Sequence, residues 1–313
     1  MLNKNHTIRN HIIPCFWSAL WNADFFNHHI AGNSSLRNTK LRPREQKVYS
    51  LEFKAPKILH RKVDHLFYVR NLGLSLVSQA ELSGLHNIYA QIEDRIVTGN
   101  YFDKNDTKKE HLVDIEALFK HAEDNYGYKE VLEVIRTNRI NSLNEKVHIA
   151  IFIAINLIRG LRFFESLFQK YIAYENPKLE VLKHFKAIMS NIDAIYHIVN
   201  PLVNARWTLY HVEEDIFPLG DSPVIRNGNI TKVIISPKHM IEIDESITNL
   251  EKVRYRQSIN REKYTILKSE IIKNSYSAII FPSEEFLSKL KKTDTWKRRK
   301  TTVAKIDLSQ FYI

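Results

Sequence analysis

Cysteine is almost missing from this 313-residue chain, which has Cys15 alone. A single thiol excludes an intramolecular disulfide framework and any multi-cysteine metal site, and it fits a reducing, cytoplasmic setting. Long apolar runs are missing too. The run at 149–155 is cut by Asn156 and Arg159, far short of the roughly 20 residues that a membrane span needs, so no membrane partner is expected. Lys4 and Arg9 ahead of the apolar stretch 12–21 imitate a secretory leader, but Pro14 interrupts it and no small-x-small cleavage site follows, so the stretch reads as folded structure. There is no Gly-rich phosphate loop, no helix with a metal-binding His pair and no nucleophile elbow.

Acidic residues are in deficit: 46 Lys and Arg face 35 Asp and Glu, a formal charge of +11. That excess favours anionic partners, nucleic acid or nucleotides first among them, although a basic surface with no such role has the same composition. With 44% hydrophobic and 26% charged residues, the chain reads as a globular protein able to bury a substantial core.

Near the N-terminus His11 stands three residues before Pro14 at the edge of an apolar segment. A His there is a proton donor or acceptor, a ligand, or a core residue satisfying a backbone group. Periodicity predicts a helix over 78–97, opened by a Ser78/Glu81 capping box and placing Glu93 on the border of its apolar stripe, either as a solvated flank or as one wall of a site. Further helices are predicted over 112–124 and 128–137. The most apolar helix opens at Ser142 with Glu145 and runs past Gly160. It should lie at the centre of the fold, which makes Asn156 and Arg159 informative: they share a face, and a buried guanidinium needs a carboxylate or an anionic ligand. Another helix is predicted over 179–199, ended by Asn200-Pro201.

From Trp207 to Pro237 the texture changes to short alternating strands broken by turns. Asp221 precedes Ser222-Pro223, where the proline stiffens the turn and fixes the carboxylate, which either caps its own turn or serves a site. Asn227-Gly228 is a hairpin signal. Arg206 and His211 match the Arg-x4-His spacing of a class of helical ribonucleases, yet residues five apart on a strand face opposite ways, which argues against that motif here. Arg254, Arg256, Arg261 and Lys263 cluster before a helix at 260–274. A strand over 276–281 and a short helix from Ser283 follow. Lys292, Lys297, Arg298, Arg299 and Lys300 then surround Trp296 in a basic tail over 289–313, a composition suited to holding phosphates while an aromatic stacks a base, and equally common in solvated tails.

The order His11-x-x-Pro14, Glu93, Asn156-x-x-Arg159, Trp207, Asp221-x-Pro223, Ser236-Pro237 and Asn260 resembles the uncharacterised family called domain of unknown function 4238. Ile12 stands where that family usually has an aromatic, and Gly220 where it has Ser or Thr. The resemblance implies that these residues matter together and carries no known activity. The expected fold is α+β: one domain over 1–288, mainly helical over 78–200, with a small, largely antiparallel sheet at 205–282. The expected function is an enzyme acting on nucleic acid or nucleotides by phosphodiester hydrolysis, with His11 as acid or base, Arg159 neutralising an anion, Asp221 orienting the His or holding Mg²⁺ or Mn²⁺, and Asn156 and Glu93 beside them. A non-catalytic nucleic-acid-binding module and a protein-interaction partner are the alternatives.

Overall fold

A computed structural model of the chain describes residues 9–11, 13–30, 42–55, 57–70, 74–78, 87–98, 110–114, 123–249 and 253–303. The fold is α+β. Its hub is α5 (Leu143–Arg159), whose first turn is capped as the sequence predicts: the Ser142 hydroxyl accepts from the Glu145 N–H, and the Glu145 carboxylate accepts from the Asn141 N–H. Because α5 is apolar nearly all round, every side must be covered. It packs against α3 (Ile88–Thr98), α4 (Tyr128–Thr137), α6 (Leu161–Tyr171), α7 (Pro177–Met189), α8 (Ile192–Asn204) and strand β9 (Val224–Asn227).

Two sheets flank this helical layer among the described residues. The five-stranded one has the order β12 (Val253–Arg256), β7 (Ala205–His211), β11 (His239–Thr248), β10 (Ile230–Ser236), β9, antiparallel except where β12 runs parallel to β7. Gly228 turns β9 into β10 with φ +57° and nothing near a Cβ position, as the Asn-Gly signal requires. The four-stranded one has the order β3 (Ile58–Lys62), β2 (Lys47–Glu52), β13 (Ala278–Phe281), β8 (Leu219–Gly220), so the strand-rich part recruits two N-terminal strands. Two short pairs complete the set: β1 (Arg9–His11) with β4 (Tyr68–Arg70), and β5 (Leu74–Ser78) with β6 (Glu110–Asp114). One apolar cluster runs from Ile13 to Val303. The N-terminal helix α1 (Cys15–Ala19) is pinned to it by indole donors, Trp17 Nε1 to the Ile234 carbonyl at 3.0 Å and, just beyond the helix, Trp21 Nε1 to the Phe217 carbonyl at 2.9 Å.

Several boundaries differ from expectation, each for a physical reason. Ser78 ends a strand rather than capping a helix, and α3 begins only at Ile88; Glu81 lies outside the described residues. Leu112 sits on β6, because pairing with β5 overrides the helical period there. The long apolar helix breaks at Gly160, whose extended backbone (ψ 140°) bends α6 away from α5 by 49°. The helix predicted over 179–199 is two, and Pro201 lies inside the second, where the Asn204 side-chain amide donates to the Asn200 carbonyl. Among the described residues no single helix is long and apolar enough to cross a membrane.

Candidate functional site

Polar groups on α5 recur at His148, Asn156 and Arg159, and eleven residues is close to three helical turns, so the first and last share a face. His148 is held between two carboxylates, Nε2 2.8 Å from Glu93 and Nδ1 3.1 Å from Glu130. The predicted Glu93 is thus half-buried in an ion pair rather than a solvated flank. The rings of Tyr89 and Tyr126 meet the imidazole edge to face. Three turns on, Arg159 is 2% exposed and its Nη1 donates to Glu123 at 2.8 Å, where Glu123 opens a π-helical turn (Glu123–Gly127) that leads into α4. Of the two readings open for Arg159, the structure shows the internal carboxylate.

Burial disfavours the imidazolium of His148, but its hydrogen bonds to Glu130 and Glu93 and their charges outweigh that cost and hold its pKa above the ordinary 6.5. A folded-state pKa raised above the unfolded value contributes stability fully present below about pH 6.5 and lost as pH rises through the folded pKa. The urea midpoint should therefore fall across that window in the native chain. His148→Gln should flatten the profile, and an unaltered profile in that variant would contradict the ion-pair role.

Asp221 is fully buried in the turn between β8 and β9. Its carboxylate accepts from the Tyr276 N–H at 2.9 Å, from the Ser277 hydroxyl at 2.6 Å and from the Ser277 N–H. Burial pushes its pKa up, against the pull of those donors and of the Ala278 N–H. It clamps the entry to β13. Next to it, the Ser222 hydroxyl lies 3.9 Å from the Cβ position of Gly160, so the Asp221 turn and the end of α5 are neighbours. Asn156 donates within its own helix to the Phe152 carbonyl at 2.7 Å. Arg159 and Asp221 face different partners, each inside the fold. The backbone of His11 lies on β1 opposite Tyr68, and its side chain lies outside the described residues.

The basic tail is corrected most. Residues 294–303 form α11 (Asp294–Val303), docked on α9 (Arg261–Asn274) and α10 (Glu284–Lys291). Trp296 is 2% exposed and stacks on Phe53 at 4.2 Å, so its indole is core, with no face for a base. Arg299 donates to the Ser275 carbonyl and covers the Tyr276 ring. Lys297 pairs loosely with Asp294 at 3.7 Å, while Lys292 and Arg298 are exposed and Lys300 is half-buried. Residues 304–313 lie outside the described residues.

A cleft of about 340 Å³ opens elsewhere, between the end of α4 (Thr137, Asn138, Arg139), β7 (Leu209, His211) and the end of β12 (Tyr255, Arg256, Gln257). Arg139 and Arg256 are exposed and form no ion pair with a described residue, whereas Arg206, Arg226, Lys232 and Lys263 around the same sheet are paired with Asp244, Glu245, Glu270 and Glu242. His211 is half-buried. Burial and then Lys238 lower its pKa, against Glu213, so the ring is neutral near pH 7. It stacks at 4.8 Å on His239, whose pKa burial pushes down to about 3. The neutral His239 donates from Nε2 to Asn138 Oδ1 and accepts from the Ser236 hydroxyl, both at 2.7 Å. Asn138 is fixed in turn as the left-handed cap of α4, φ 56°. The cleft wall is therefore preorganised by buried hydrogen bonds.

Strand geometry separates Arg206, which pairs with Asp244, from His211, so the helical ribonuclease motif does not form. Sequence reading missed His148, Glu130 and Glu123. Their signal was present in part, as a His eight and eleven residues before Asn156 and Arg159 on the most apolar helix of the chain. It also missed the cleft, whose lining comes from three separated segments. Among the described residues no group of three or more His, Cys, Asp and Glu is placed to hold a metal ion. No protein-family model, no curated protein and no solved structure matches the chain.

Proposed function

We propose that the chain acts on nucleic acid or nucleotides, binding phosphate at the cleft through Arg139 and Arg256 with His211 as the proton acceptor for phosphodiester hydrolysis. The observation that carries this reading is a pair of guanidiniums, without carboxylate partners among the described residues, lining one cleft beside a neutral imidazole. A guanidinium fork matches phosphate geometry, and a neutral His near pH 7 accepts a proton. The expected site at His11, Arg159 and Asp221 moves to the cleft, because Arg159 and Asp221 are committed to Glu123 and to the start of β13. The purified chain, incubated with RNA, DNA and nucleotides with and without Mg²⁺ or Mn²⁺, should turn over at least one of them. His211→Ala should lower that rate by about 100-fold or more, and turnover untouched by both His211→Ala and Arg139→Ala would sink the assignment.

A binding module without chemistry is the second reading. It is favoured by the His211 ring lying flat on His239, with no hydrogen bond to a described residue to orient it. Steeply salt-dependent binding without turnover would decide for it.

A further inference from the structure

We propose that the outer edge of β12 seats a single strand of nucleic acid, with phosphates on Arg254 and Arg256 and a base against Tyr255, a refinement that rests on the phosphate-binding reading of the cleft. β12 ends the five-stranded sheet, hydrogen-bonded on one side to β7 and to no other described strand. Arg254 and Arg256, two apart on a strand, project to the same side at a spacing of about 6.7 Å, comparable to adjacent phosphates of an extended single strand. Both are exposed, and neither has a carboxylate partner among the described residues.

Tyr255 leaves the strand on the opposite face, and it and Arg256 both line the cleft. It is 45% exposed, yet its hydroxyl donates to the Ile140 carbonyl at 3.1 Å and accepts from the Ile140 N–H at 3.4 Å. An aromatic pinned at its polar end with its ring in solvent has already lost the rotational freedom that binding would cost, and stacking on it is open to any base. Two copies of β12 edge to edge would set arginine against arginine, which charge disfavours. Bases inside a duplex are stacked on one another and withheld from such a ring. A single strand meets both demands, its phosphates following Arg254 and Arg256 along the edge and an unstacked base reaching the Tyr255 ring.

Fluorescence anisotropy on the full chain, with short labelled oligouridylate and oligothymidylate, tests the proposal against a duplex, ATP and an oligoglutamate peptide as competitors. Single strands should bind and the duplex should compete poorly. Arg254→Gln and Arg256→Gln should each weaken binding and reduce the slope of log affinity against log salt by about 0.7. Tyr255→Leu should weaken binding about tenfold, and Tyr255→Phe, which keeps the ring and frees it from Ile140, should weaken it less. Equal duplex binding, indifference to Tyr255→Leu, or displacement by oligoglutamate in preference to ATP would overturn the single-strand assignment. Binding of ATP alone, lost in Arg139→Ala, would overturn it while leaving the phosphate-binding cleft in place. Binding of none of these ligands would overturn both.

Discussion

Asp221→Ala is expected to destabilise the fold by about 4 kcal/mol, because it strips a fully buried acceptor from the Tyr276 N–H, the Ser277 N–H and the Ser277 hydroxyl, and each buried donor left unmade costs about 1–3 kcal/mol. The serine hydroxyl can turn to another acceptor. The two backbone donors are fixed by the path of the chain into β13. Asp221→Asn should lose less, since its amide oxygen can still accept from these donors and only its NH2 would face the Tyr276 N–H. A loss of this size is a large part of the roughly 5–15 kcal/mol that holds a domain together. Urea unfolding with an unchanged slope would measure it, and a loss below about 1 kcal/mol for Asp221→Ala would refute the clamp. If Asp221 instead served catalysis alone, both variants would unfold like the native chain.

Arg159→Ala is expected to cost about 3–5 kcal/mol, because it abandons Glu123 in an interior where the pair is 2% and 3% exposed at its side chains. The informative comparison is the pair of changes together. Glu123→Leu with Arg159→Met replaces two desolvated charges by apolar groups of similar bulk, and should recover most of the loss. The cycle should thus show strong coupling between the two positions. Single and double variants equally destabilised would mean that Arg159 is held chiefly by something other than Glu123. The π turn that carries Glu123 adds a structural readout: loss of the pair should raise hydrogen exchange over 123–127 before it is felt in β10 or β11.

These two residues also show how far the sequence could be read. That Arg159 is buried followed from its place on a helix apolar nearly all round; that it pairs with Glu123 did not, because the carboxylate arrives from 36 residues away on a turn with no periodic signature. Asp221 was legible as a fixed turn carboxylate, whereas its donors come from 55 and 56 residues downstream. Trp296 was misread for a related reason. A cluster of basic residues around one aromatic has the composition of a nucleic-acid tail, and only the presence of Phe53 across the space turns the indole into core.

What the sequence determined by itself was local. The caps at Ser142, Asn260 and Ser283, the Gly228 hairpin, the helix over 128–137 and the α+β class all depend on groups a few residues apart. The tertiary structure decided which charges were consumed and which were left over. Glu93, Arg159 and Asp221 found partners inside the fold, while Arg139, Arg254 and Arg256 stayed exposed without carboxylate partners among the described residues. A charge is neutralised by what lies beside it in space, and long-range packing fixes that neighbour where local propensity cannot.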